Sequence, residues 1–233
     1  MQTLHIMKKE LTDFFVSPIA YIVISIFLLV TGWFFFLTFF LNGQANLRDF
    51  FGLLPLIFSF IIPAITMRLF AEELSSGSFE VMMTLPVTPA NIVVGKFLSA
   101  LVFICAMLVP TFAYAVTVAL FGDLDWGPVI GGYAGAVLLG GAFAAIGIFA
   151  STLTRNQIIA FILGAVLCFA LTLVDKLLVF FPTAILGFFS QIGADYHFRN
   201  IARGVIDSRD LLYFGGVIFL FLYGSYISMA EKE

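Results

Sequence analysis

The sequence predicts an all-α integral membrane protein: six transmembrane helices preceded by an amphipathic helix that lies in the membrane interface. Three observations carry this. Of 233 residues, 62% are hydrophobic and 11% charged, whereas soluble domains run near half and a quarter. Mean hydropathy is +1.12, more apolar surface than one aqueous core can hide. Six apolar stretches, charged only near their ends, each approach the ~20 residues that a spanning helix needs. We place them at about residues 19–41, 50–69, 92–121, 128–152, 156–176 and 210–230, in a single transmembrane domain over residues 1–233.

Residues 1–17 come first. Leu4, Met7, Leu11, Phe14 and Phe15 recur at helical spacing, while Lys8, Lys9, Thr12 and Asp13 fall mostly off that stripe. This is the pattern of a helix lying in the interface plane. Pro18 separates it from the first span, and no small-residue cleavage site closes that span, which reads as uncleaved.

Orientation is not settled by charge. With the N-terminus inside, Lys8, Lys9, Arg68, Lys96, Arg155 and Lys232 are internal, against Arg48, Lys176, Arg199, Arg203 and Arg209 outside. That near balance does not choose a side, although Lys8 and Lys9 beside the first span favour N-inside.

The loop after the second span reads "EELSSGSFEVMMTLPVTPANIVVGKF". Arg68 and Glu72, four apart, can form a helix-end ion pair. Ser75 to Ser78 break the helix, and a short new one follows, stopped near Leu85 by Pro86. Thr88–Pro89 signals the start of the third span, with Lys96 carried into the interface. The short helix shows Phe79, Met82 and Met83 where a connecting loop would be polar. Those residues either dip into lipid headgroups or insert into a groove on a soluble partner, a role that suits methionine's adaptable side chain.

The fourth span is rich in small residues. Gly131 and Gly135 form a GxxxG, and Gly140 and Gly141 extend the pattern, so this span should be the most tightly packed within the subunit. Residues 177–194 are apolar but broken by Pro182 and Gly187; they read as a re-entrant or interfacial segment rather than as a seventh span. Residues 196–206 then place apolar groups at helical spacing, and Ser208 caps the last span.

Several functions lack their residues. Gly95–Lys96 has Ala90 and Phe97 where a phosphate-binding loop needs Gly and Ser or Thr, so there is no nucleotide site and no catalytic group. His5 and His197 stand far apart and read as surface or interface residues, not metal ligands. Cys105 and Cys168 lie in apolar runs and read as buried hydrophobes. The span middles carry no ionisable group, which weighs against an ion channel or secondary carrier. Nothing in the charge suggests nucleic acid; membrane lipids are the expected surroundings.

The loop quoted above resembles the signature of type-2 ABC exporter permeases: a glutamate-rich span end, a Gly–Ser–x–Glu helix, a Pro–Val turn and a Gly–Lys near the next span. "KKELTDFFVSPIAYIV" and "DYHFRNIARGVIDSRDLLYF" look closest to the gliding-motility branch of that family. The resemblance covers nearly the whole chain. It implies that residues 77–85 are the cytoplasmic coupling helix, with Phe79, Glu80, Met82 and Met83 contacting a separate ATPase subunit. That partner, in two copies, would bind the ATP and magnesium; this chain would hold no cofactor. It also implies a second permease copy or homologous partner, room for an accessory membrane or periplasmic subunit, and an external helical segment at 177–207. Both termini would be cytoplasmic, in the bacterial inner membrane. For the dimer seam the resemblance nominates Gly32, Trp33 and Phe36 of the first span with Gly164 and Ala165 of the fifth. The packing argument alone would nominate the fourth span. The implied function is an ATP-driven exporter permease; the alternative is a non-transport anchor or mechanical transducer of a motility or envelope assembly.

Overall fold

The computed structural model describes residues 2–42, 46–83, 87–177, 191–205 and 207–232. Most of the apolar stretch expected to be re-entrant, residues 178–190, falls outside them, as do the side chains of Val81, Met82 and Met83. Among the described residues there are helices and no strands. They run α1 (Gln2–Val16), α2 (Pro18–Asn42), α3 (Arg48–Thr66), α4 (Arg68–Ser76), α5 (Ser78–Met83), α6 (Pro89–Leu108), a 3₁₀ turn (Val109–Thr111), α7 (Phe112–Phe121), α8 (Trp126–Thr152), α9 (Gln157–Leu177), α10 (Ala194–Ala202) and α11 (Ser208–Ala230).

Among the described residues, six spans are long and apolar enough to cross a bilayer: α2, α3 with α4, α6 with α7, α8, α9 and α11. At 27 residues, α8 is about 40 Å long, sufficient for a hydrocarbon core of about 30 Å. α8 is the axis of the bundle, packed on α3, α6, α9, α10 and α11. Its glycines make that possible, because lipid offers no hydrophobic drive and close approach must come from small residues. A Cβ on Gly131 would collide with the Ile201 carbonyl oxygen, and one on Gly140 would stand 2.9 Å from Ile104. Gly135 faces Phe198 and Ile201, and Gly141 faces Ile218 and Leu101. α2, α9 and α11 leave most of their surface outward.

The second and third spans are not single helices. α3 holds Pro55 and Pro63 and gives way to α4 at Met67, whose N–H still bonds to the Pro63 carbonyl. The second span therefore runs on to Ser76, past the expected end near residue 69. Ser151 of α8 holds the junction. Its hydroxyl accepts from the N–H groups of Phe70 (3.0 Å) and Ala71 (2.9 Å) and donates to the Met67 carbonyl (2.8 Å). The Phe70 amide lies in the first turn of α4, where N–H groups lack an intrahelical acceptor. In the third span Pro110, with no N–H to give, tightens the chain into the 3₁₀ turn between α6 and α7.

A buried ion cluster beside a two-turn helix

α1, α4, α5 and the start of α6 gather at one end of the bundle. α1 lies along α6, and Gly95 sets the distance: a Cβ there would stand 2.9 Å from Ile6 and 3.1 Å from the Thr3 carbonyl oxygen. α6 begins where Thr88 caps it, accepting from the Asn91 N–H at 3.4 Å, with Pro89 following. Next to Gly95, where α6 approaches α1, sits the centre of the site.

Lys96 is fully buried (0% exposed). Its Nζ donates to Glu10 Oε1 of α1 at 2.8 Å and to the Leu69 carbonyl of α4 at 2.7 Å. It pairs with Glu73 Oε1 of α4, also at 2.8 Å, and stands 5.0 Å from the centre of the Phe70 ring. Lys9 lies 3.7 Å from both carboxylates. Two cations thus balance two anions. One ammonium ties three segments that are distant in sequence. A buried ion is expensive to strip of water and is tolerated when paired and hydrogen-bonded; Glu73 Oε2 remains buried without a partner among the described residues. Lys96, expected in the interface, does not reach solvent: α1 covers it.

The face that α1 packs against the bundle is not uniformly apolar. Leu4 is 55% exposed, whereas Glu10 and Phe14 are buried and Ile6 packs on the core. The inward stripe runs Ile6, Glu10, Phe14, at intervals of four, and a carboxylate sits in its middle because Lys96 waits opposite.

Arg68 does not form the expected ion pair with Glu72. Its guanidinium lies over the Phe14 ring, 4.7 Å from the centre, and no ion pair between the two is present among the described residues. The kink at Met67 starts a new helix at Arg68, and α1 offers the arginine an aromatic face. Arg68, Glu72, Lys9, Asp13 and Glu73 line a cleft of 490 Å³ between α1 and α4 that also reaches Ser78.

α4 closes on Gly77 in the left-handed conformation (φ 74°), a backbone shape that glycine adopts at low cost. α5 follows at once. Phe79, expected to reach a partner, is 4% exposed and joins the chain's own core. Phe79 thereby anchors α5 in the bundle. Glu80 is exposed. Met82 and Met83 lie in the helical backbone, their side chains outside the described residues.

At the opposite end α10 covers the N-terminal part of α8. His197, expected as a surface or interface residue, is 6% exposed. Both ring nitrogens face acceptors: Nδ1 meets Asp210 Oδ1 at 2.6 Å and Nε2 the Gln191 carbonyl at 2.9 Å. Tyr213 stacks on the ring at 4.1 Å and donates to the Ile192 carbonyl at 2.6 Å. His197 therefore clasps α10 to α11 and to the segment before α10. No group of histidine, cysteine, aspartate and glutamate suited to a metal occurs among the described residues.

The residues nominated for a dimer seam divide. Trp33 (65%) and Phe36 (39%) are exposed on α2. Gly32, Gly164 and Ala165 are not available. A Cβ on Gly32 would meet the Tyr114 hydroxyl at 3.0 Å, and one on Gly164 would meet Pro63 at 3.3 Å and Gly147 at 3.4 Å. Ala165 is 7% exposed. These three serve contacts inside the subunit.

A search of curated proteins returns no match to the chain. A model of the ABC-2 family transporter proteins matches residues 4–212, which takes in the ion cluster, the two-turn helix and the His197 clasp. With six apolar spans in an all-helical bundle, the chain belongs to the ABC-2 transporter family and is a membrane permease of an ABC transporter.

Proposed function

We propose that this chain is the membrane half of an exporter driven by a separate ATPase, and that α5 is the element through which the two communicate. The observation that supports this reading most is the mechanical path out of α5. Phe79 anchors α5 in the bundle, Gly77 joins it to α4, and α4 is tied through Glu73 to Lys96 of α6 and Glu10 of α1. A push on α5 is therefore delivered to both spans that flank the loop and to the interfacial helix together. Glu80, Met82 and Met83 are the residues proposed to meet the ATPase, Phe79 being the anchor behind them.

In this reading both termini and α5 are cytoplasmic, the membrane is the bacterial inner membrane, and two permease copies work with two ATPases that bind the ATP and magnesium. The exposed Trp33 and Phe36 of α2 remain the proposed seam. ATP binding draws the ATPases together, the α5 helices follow, and the interface between permease copies opens alternately to either side. The likeness of "DYHFRNIARGVIDSRDLLYF" to the gliding-motility branch supports a second reading, in which the same push drives an envelope assembly and no solute crosses. Purification in mild detergent followed by reconstitution into proteoliposomes tests both. An exporter co-purifies with an ATPase whose ATP turnover rises with a transported solute. Turnover indifferent to every solute, with transport absent, favours the mechanical reading. A chain that brings down no ATPase refutes both.

A further inference from the structure

We propose that a cleft between α3 and α10 holds the phosphate headgroup of an anionic membrane lipid. The cleft has a volume of 340 Å³, and its walls include Arg48, Arg199 and Arg203 over a floor of Phe51 and Phe198. Among the described residues, no carboxylate lines it. Three guanidiniums around an apolar floor suit a phosphate, because each can give paired N–H donors to its oxygens.

The arginines are placed, not scattered. Arg48 is the first residue of α3, at the end of a span. Arg199 and Arg203 are four apart at the end of α10. Asp195, 1% exposed, holds Arg199 by two bonds, from Nε at 3.2 Å and Nη2 at 2.5 Å. That grip fixes the guanidinium plane and uses one edge, leaving the Nη1 edge on the other side. The Arg199 side chain is still 52% exposed.

The second observation lies below the rim. Gly52 opens the cleft: a Cβ there would meet nothing within 4 Å. Leu56 and Phe60 follow at intervals of four on the same face of α3 and are 38% and 51% exposed. A cationic rim at a span end therefore stands above an exposed apolar track that descends along the span. A free anion needs only the rim. A lipid uses both, phosphate above and acyl chain below, and the excess positive charge selects a headgroup of net negative charge.

Native mass spectrometry of the detergent-purified chain, titrated with phosphatidylglycerol and separately with phosphatidylcholine, tests this. The variants are Arg48→Gln with Arg203→Gln, which leaves the Arg199–Asp195 pair intact, and Gly52→Trp, which fills the cleft and keeps every charge. Thermal unfolding of each variant checks that it remains folded. The wild type should retain phosphatidylglycerol in preference to phosphatidylcholine. Affinity should fall about fivefold per arginine removed, roughly thirty-fold for the pair, and Gly52→Trp should abolish retention. Equal retention by all three proteins overturns the proposal. So does displacement of the lipid by millimolar inorganic phosphate, which would make this a site for a free anion. Loss of a chain dimer in Gly52→Trp with lipid retention unchanged would assign the face to a second copy instead.

Discussion

Lys96→Met removes one charge from a shape that methionine nearly fills. Glu10 and Glu73 then face each other across the site, with side chains 9% and 13% exposed and Lys9 the remaining cation at 3.7 Å. Removing one partner of a buried pair costs about 3–5 kcal/mol, mostly because the remaining charge is stranded. For a chain of this length 1 kcal/mol moves the midpoint by about 2–4 °C. The expected fall is therefore about 6–20 °C, nearer the lower figure because Lys9 and partial exposure soften the loss. Scanning fluorimetry in detergent measures it. The triple variant Lys96→Met, Glu10→Gln, Glu73→Gln leaves Lys9 as the one remaining ion of the cluster, with a side chain 58% exposed to solvent, and should recover most of the loss, since neutral groups of similar size can replace a buried ion set at little cost. A single variant within about 2 °C of wild type, or a triple variant worse than the single, would show that charge balance does not hold the cluster together.

Gly147→Ala should destabilise by about 1–3 kcal/mol, because the new methyl would overlap the Thr66 hydroxyl; adding Thr66→Ala should relieve it, and thermal midpoints of the single and double variants check the pair. Ser151→Ala removes the acceptor of the Phe70 and Ala71 amides; hydrogen exchange at those two residues should quicken, with a loss of about 0.5–2 kcal/mol. His197→Ala strands buried Asp210, whose Oδ2 already has no partner among the described residues, and His197→Ala with Asp210→Ala should be milder than His197→Ala alone. Unfolding midpoints of the two decide it, and a double variant as unstable as the single would contradict the clasp.

The all-helical membrane fold was legible because it rests on composition and run length, which no tertiary contact can override. The breaks at Gly77 and Thr88–Pro89 were legible for a local reason: φ freedom at one, a side-chain cap and a preset φ at the other. What the sequence hid was partnership. Lys96 lies eight residues into α6 and reads as a charge near a span end; nothing local says that α1 will cover it. One signal was present. Glu10 falls on the line Ile6, Glu10, Phe14, and a carboxylate on an apolar stripe needs a cation opposite. The more apolar stripe through Leu4 and Leu11 masks that line. Phe79 misleads for the complementary reason: an apolar residue in a short loop helix can face a partner or the chain's own core with the same sequence pattern. His197 stands apart from other candidate ligands, yet its partner Asp210 lies only thirteen residues on, across a turn. Gly164 and Ala165 show the same limit, since small residues mark close approach without saying to which helix.

The proposed transport cycle depends on contact between α5 and an ATPase, and a site-specific crosslink tests that contact. Glu80 is exposed on α5 and can be replaced by cysteine in a chain lacking Cys105 and Cys168. A short photoactivatable thiol reagent on that cysteine, irradiated in native membranes, should join the chain to an ATP-binding polypeptide. The same reagent at position 223, where Tyr223 is exposed on α11, should not. An adduct at position 80 formed only with lipid, in membranes that contain the assembled complex, would rule the contact out.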